Sequence, residues 1–219
     1  MSDGAGPIAG LVFDLDGVLI DSIEVMRKAF ERAYEVTVGP GPAPFAEYLH
    51  HLGRHMPETL AIMGLPADMY QPFVRFSREL VHLVPVHSFA PELLAGLRER
   101  GLRLAVATGK THDRACQVLR ATGLLDLLDE VVGSDEVAHS KPAPDIVRLA
   151  LARLGLSPSD ALMIGDSPLD LQAGRAAGTR TVAALWGQGS REMLLAEHPD
   201  YQATSCEHLA VVLAGVPAI

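Results

Sequence analysis

Ala9-Gly10-Leu11-Val12-Phe13-Asp14-Leu15-Asp16-Gly17-Val18 decides how the rest of this chain is read. The run up to Phe13 is almost wholly apolar, which suits a strand covered on both faces, as in a parallel sheet. Residues i and i+2 of a strand point to the same side. Asp14 and Asp16 therefore project together from the carboxyl end of a buried strand, where open α/β sheets bind ligands. Gly17 permits a sharp turn directly after them. Two acids crowded in an apolar setting are costly without a cation. The ordinary alternative is an acidic pair capping a helix, and Phe13 and Leu15 on either side of Asp14 argue against it.

Working outward, similar apolar runs predict strands at 103–107, 130–132, 161–164 and 181–185. Helical patterns fall between them at 91–100, 111–122, 143–154 and 168–177, followed by Gly101, Gly123, Gly155 and Gly178, where a left-handed residue is favoured. This alternation predicts an α/β fold with a doubly wound parallel sheet. The interval from Asp16 to Arg103 breaks the rhythm, being far too long for one crossover helix. Within it Ile23, Met26, Phe30 and Ala33 keep a helical period, and Phe73, Phe76, Leu80 and Leu83 repeat it after a Gly- and Pro-rich loop at 39–44. We therefore expect a helical cap over 22–86, inserted into a core formed by 1–21 and 87–219.

The 219 residues suffice for one such core and a small second unit. No apolar run approaches the ~20 residues of a membrane span, and Met1 to Gly10 does not read as a secretory leader. Two cysteines, Cys116 and Cys206, make no disulfide framework and point to a reducing cytoplasm. A net charge of −9 disfavours nucleic acid as a partner. Of the 18 basic residues only Lys28, Lys110 and Lys141 are lysines. A rare Lys can mark a place that needs a compact ammonium on a thin stem, although Lys28 reads as ordinary drift.

The later strands also end in polar residues. Thr108-Gly109-Lys110-Thr111 imitates the tail of a P-loop, but the required first Gly would fall at Leu104, inside a strand. A hydroxyl and backbone amides before a helix N-terminus remain, suited to an oxyanion; Thr108 as a plain helix cap is equally open. In His139-Ser140-Lys141-Pro142-Ala143-Pro144-Asp145 the prolines set Lys141 just ahead of a helix start. Gly165-Asp166-Ser167-Pro168-Leu169-Asp170 then offers a strand-end acid and a second one in the first helical turn. Asp166 is the natural ligand for a hard cation such as Mg²⁺. Asp170 is open between ligand, supporting contact and helix-terminal charge.

The order of these signals along the chain resembles the haloacid dehalogenase superfamily, in its phosphatase and phosphomutase branch with a helical cap. The resemblance covers essentially the whole chain. It implies that Asp14 is the nucleophile and Asp16 the general acid/base. It implies that Thr108, Gly109 and Lys141 bind phosphate, and that Asp14, the Asp16 backbone carbonyl, Asp166 and Asp170 hold or support Mg²⁺. One departure is Gly109, where many members carry Asn. A narrower likeness links Leu52-Gly53-Arg54-His55 through Pro66, Val106 to Lys110, and Ala183 to Gly187 to phosphatases encoded with 3-amino-5-hydroxybenzoic acid synthesis in antibiotic pathways. It implies a phosphorylated amino-sugar-like substrate.

These features predict a phosphatase acting on a small-molecule phosphate through an aspartyl-phosphate. Mg²⁺ and Lys141 would offset the charge of three acids and of an incoming phosphate. Phosphoglycolate phosphatase and sugar phosphomutase activities use the same residues. A dehalogenase would share Asp14 without needing the metal acids, and a non-catalytic receiver-like module would lack the cap. No membrane or nucleic-acid partner is expected, and the chain reads as a monomer or weak homodimer. Arg54, with His50, His51 and His55 nearby, is a candidate for substrate contact, as is Lys110; an ordinary solvated helix surface accounts for the cap residues equally well. Trp186 follows a strand in a Gly-flanked loop, and core packing is its simpler role.

Overall fold

The computed structural model describes residues 7–217. The first six residues, where the absence of a leader was read, and the last two lie outside it. Strands β1 (Gly10–Phe13), β2 (Arg103–Thr108), β3 (Glu130–Gly133), β4 (Ala161–Gly165), β5 (Arg180–Ala184) and β6 (Tyr201–Ala203) form one sheet in the order β3-β2-β1-β4-β5-β6. Every pairing is parallel. Phe13 stands beside Val106 on one side and Ile164 on the other, so β1 is central and buried along its length.

Helices α1 (Ile23–Thr37), α2 (Phe45–Tyr48), α3 (Met56–Ile62) and α4 (Tyr70–Glu79) lie between β1 and β2. Then come α5 (Ala90–Glu99), α6 (His112–Ala121), α7 (Asp145–Leu154), α8 (Pro168–Ala177), α9 (Arg191–Ala196) and α10 (Cys206–Ala214). Side chains alternate across the sheet. Leu11, Phe13, Leu104 and Val106 pack with Leu94 of α5, Leu119 of α6 and Leu209 of α10. Val12, Ala105, Ala107 and Met163 face the other way, onto Val147 and Leu151 of α7 and Ala173 of α8. Gly155 and Gly178 close α7 and α8 in the left-handed conformation.

Helices α1 to α4 and their connections have an apolar cluster of their own, built on Met26, Phe30, Phe45, Tyr48, Leu60, Phe73 and Phe76. Ring centroids of Phe30 and Tyr48 are 5.0 Å apart, and those of Phe45 and Tyr48 5.5 Å. The chain leaves and returns side by side: the Asp21 amide donates to Pro85 O at 3.0 Å and the His87 amide to Leu19 O at 3.0 Å.

Some expectations shift. The helical period read through Leu80 and Leu83 stops at Glu79; a 3-10 turn follows and Leu83 is exposed, because the chain is already turning back toward the core. The helix expected from Ala143 starts at Asp145, since Pro142 and Pro144 hold the preceding residues in a turn. The edge strand β6 was not anticipated, because Tyr-Gln-Ala is short and lacks an apolar run.

Candidate active site

The carboxyl ends of β1, β2 and β4 meet at one point. Asp14 follows Phe13 directly, its amide donating to Ile164 O at 2.9 Å, and its side chain is buried. Gly17 turns the chain with φ 81°, and a Cβ there would stand 2.0 Å from Asp166 Oδ2. Only glycine both adopts this angle and leaves that space. Lys141 is 1% exposed, and its Nζ donates to Asp14 Oδ1 at 2.6 Å, Asp170 Oδ1 at 2.7 Å and Ala107 O at 2.7 Å. All three ammonium donors are thereby used. Asp170 Oδ2 accepts from the Ser167 amide at 3.0 Å and hydroxyl at 2.6 Å. Asp166 Oδ2 accepts from the Gln188 amide at 2.7 Å.

Asp14, Asp166 and Asp170 each offer a carboxylate oxygen within 4.8 Å of the others, all buried. Burial, then repulsion from Asp170 and Asp16, pushes Asp14 up to about 7 despite Lys141. Burial, with Asp170 and Asp14 adding to it, drives Asp166 well above the ordinary carboxylate range. Burial by itself would lower the pKa of Lys141; Asp14 and Asp170 outweigh it and raise it, keeping the ammonium charged. When all three ionise, these buried acids against one cation leave negative charge uncompensated. An all-oxygen donor set of this kind fits a hard divalent cation.

Asp16 faces a different neighbourhood. Its two oxygens accept from Lys110 Nζ and from Ser22 Oγ. Burial opposes ionisation here, but Lys110, Ser22 and the charge of Arg114 together hold the Asp16 carboxyl below its usual range. A cavity of about 30 Å³ adjoins this pair, lined by Asp14, Asp16, Gly109, Lys110 and Arg114 of the sheet side and by Tyr48, Gly53, Arg54 and Phe73 of the helical insertion.

The insertion touches the sheet end closely. A Cβ on Gly109 would stand 2.5 Å from Arg54 O and 2.7 Å from Gly53 O, so the side chain missing at 109 is replaced by backbone of the insertion. His55 Nδ1 lies 2.6 Å from Ser134 Oγ, whose proton goes to Gly109 O at 2.8 Å. That assigns the Nδ1–H tautomer to His55, and burial, against pulls from Asp135 and Glu58, lowers its pKa and favours the neutral ring. Glu58 accepts from Arg54 at 3.1 Å and from Ser140 Oγ.

Residues 11–184 match the family model for haloacid dehalogenase-like hydrolases. The chain belongs to that family. Among curated hydrolases, it is 34% identical over 199 residues to the pyrophosphatase PpaX of Bacillus velezensis, covering 89% of this chain and 91% of the relative. It is 32% identical over 206 residues to PpaX of Bacillus pumilus, covering 93% and 95%. A solved hydrolase from Pseudomonas syringae superposes with a TM-score of 0.84 at 24% identity, covering 96% of this chain and all of that one. CbbY from Rhodobacter sphaeroides, solved with phosphate, gives 0.80 at 25%, covering 92% and 96%. Family and relatives make this hydrolase a phosphatase.

In this hydrolase the structure brings Asp14, Asp166 and Asp170 within 4.8 Å of one another, ties Lys141 to Asp14 and Asp170, and joins Asp16 and Lys110 in an ion pair. Thr108 is buried at the end of β2, its Oγ1 accepting from the Lys110 amide at 3.3 Å. The amide at the start of α6 is taken by Asp135 Oδ1, 2.7 Å from His112 N, so that helix end already holds an anion. Trp186 packs on the core and donates from Nε1 to Val18 O at 3.1 Å. His50 and His51 sit in a 3-10 turn of the insertion, and Lys28 on α1. Ser22, Ser134, Glu58 and above all Arg114 were not foreseen. Arg114 precedes the buried Ala115 and stands one turn before the buried Val118, on the apolar stripe of α6, and that placement was the available signal.

Proposed function

We propose that this phosphatase hydrolyses a small-molecule phosphate monoester through a covalent phosphoryl group on Asp14. The observation that carries the reading is Asp14 itself: a buried strand-end carboxylate pinned by Lys141 beside two further buried acids. Asp14, Asp166 and Asp170, with the Asp16 carbonyl, would hold Mg²⁺, which supplies positive charge against the phosphoryl oxygens. Lys141 fixes the rotamer of Asp14 and neutralises part of the charge that meets substrate. Asp14 Oδ attacks phosphorus in line and the ester oxygen leaves. Asp16 gives that oxygen a proton, then takes one from the water that opens the acyl phosphate. Its resting state, ionised on Lys110, is ready for the second task. For the first it must take up a proton as substrate displaces Lys110. Thr108 and the Gly109 amide bind phosphoryl oxygens.

Residues 22–86 act as a cap over a core of 1–21 and 87–219. A cavity of about 30 Å³ has room for one or two waters and not for a substrate, so the cap lifts on the paired linkers at Asp21–Pro85 and Leu19–His87 to admit it. Cys116 and Cys206 are free, in keeping with work in the cytoplasm. No helix among the described residues is long and apolar enough to cross a membrane.

The relatives carry the name pyrophosphatase, whereas the likeness to 3-amino-5-hydroxybenzoic acid-associated phosphatases points to an amino-sugar phosphate. Free-phosphate release across pyrophosphate, phosphoglycolate, hexose phosphates and amino-sugar phosphates tests the reading. Release should require Mg²⁺, stop with excess chelator, and resume on adding Mg²⁺. Isomerised product without free phosphate would show a mutase instead, and full activity in chelator would remove the metal.

A further inference from the structure

Arg114 is 6% exposed, lines the cavity beside Asp16, and makes neither hydrogen bond nor ion pair among the described residues. Among the described residues it lies over the face of Phe73, 5.2 Å from the guanidinium carbon to the ring centroid, and Asp16 acts on it through charge without a direct ion pair. A buried guanidinium with its fork unfilled is costly, and the cost is relieved by an anion that reaches it. The other cavity cations are engaged: Lys110 on Asp16, Arg54 on Glu58. Arg114 is therefore the free fork on the side of Asp16 where the leaving group must lie, a geometry matched to the two oxygens of a carboxylate or phosphate.

We propose that Arg114 selects substrates bearing a second anionic group, carboxylate or phosphate, on the leaving side of the scissile bond. This rests on the Asp14 reading above and deepens it. An amine in the same place would meet Arg114 and Lys110 with like charge, so amino-sugar phosphates lacking a second anion are disfavoured.

The test uses the full chain with Mg²⁺ and compares kcat/KM for phosphoglycolate and for pyrophosphate with that for ethyl phosphate, which lacks the second charge. The wild type should prefer at least one of the doubly anionic substrates by about 10- to 100-fold; which of them wins separates carboxylate from phosphate. Arg114→Gln should collapse that preference mostly through KM, and Arg114→Lys should keep an intermediate share. A purely structural role through Phe73 would lower all substrates together and leave the ratio intact. No preference in the wild type, or an unchanged ratio in Arg114→Gln, overturns the proposal; should Arg114→Gln not fold, the wild-type ratio and Arg114→Lys decide. Calorimetric binding of phosphoglycolate to Asp14→Asn enzyme, with and without Arg114→Gln, reads the same contact without turnover. Loss of binding on Arg114→Gln supports the subsite even if Asp14 is not the nucleophile; equal binding sinks it while leaving the Asp14 chemistry standing.

Discussion

On the floor of the site, Lys141 uses its three donors on Asp14, Asp170 and Ala107, Asp170 is held by Ser167, and Asp166 by the Gln188 amide. On the wall, Arg114 lies over the ring of Phe73 and makes no hydrogen bond or ion pair among the described residues, and Arg54 Nε is buried there without a partner. The floor hangs on three adjacent parallel strands, and the wall on α6 of the core together with the helices and glycine turn of the insertion. The contrast separates two tasks. A floor whose groups are already paired is preorganised for charge developing on a phosphoryl group, which is what phosphoryl transfer requires. A wall with unfilled donors is where, on our proposal, the substrate completes the site and the choice among phosphate esters is made.

Breaking the floor should have the largest effect. Lys141→Arg keeps the charge but cannot place a planar fork between Asp14, Asp170 and Ala107. It should lower kcat by about 10²- to 10³-fold in steady-state phosphate release, with a smaller change in KM. An enzyme of near-normal rate would show that the ammonium's shape is immaterial.

The floor's charge imbalance predicts a pH dependence. The folded pKa of Asp14 is raised, from 3.8 to about 7, so its contribution to stability is present below the lower value and lost as pH rises through the higher one. Asp166 is shifted in the same direction. The metal-free protein should therefore lose stability between about pH 4 and 7. Mg²⁺, which on our proposal binds the ionised acids, should raise Tm more at pH 8 than at pH 5. Thermal unfolding with chelator or with Mg²⁺ at both pH values checks this; a larger gain at pH 5 would contradict it.

The floor was legible in the sequence because each of its parts sits where strand geometry or proline fixes direction. The two-residue period pointed Asp14 and Asp16 to one side, and both line the same cavity although β1 ends at Phe13; Lys141 stands out as one of three lysines, just ahead of two prolines. The wall was not legible in the same way. Arg54 pairs with Glu58 one turn on, a local contact that sequence spacing allows, but the seating of Gly53 and Arg54 backbone against Gly109 depends on how two distant segments dock. Arg114 lies in His112-Asp113-Arg114, which looks like a solvated helix start unless its place on the stripe with Ala115 and Val118 is counted. Gly109 looked like a lost amide side chain; in the fold the backbone of Gly53 and Arg54 occupies that space.

That last point gives the mildest test. Gly109→Asn restores the side chain many family members carry, yet its Cβ would meet Arg54 O and Gly53 O within 2.7 Å. The cap must stand off, and overpacking of this size costs about 1–3 kcal/mol. The expected result is a fall in kcat/KM of about tenfold, carried by KM, with the floor's metal requirement unchanged. An unaltered KM would mean that the contact between Gly109 and the Gly53–Arg54 turn does not form in the working enzyme.

The central claim is the bond between Asp14 and phosphorus. Asp16→Asn enzyme, which keeps the nucleophile but loses the base that opens the acyl phosphate, is mixed briefly with substrate and Mg²⁺, quenched in acid, and digested for mass spectrometry. The account predicts one added phosphoryl group on the peptide containing Asp14, absent when Asp14→Asn is combined with it. A phosphoryl group on another residue, or phosphate release by Asp14→Asn enzyme at a near-normal rate, would contradict it.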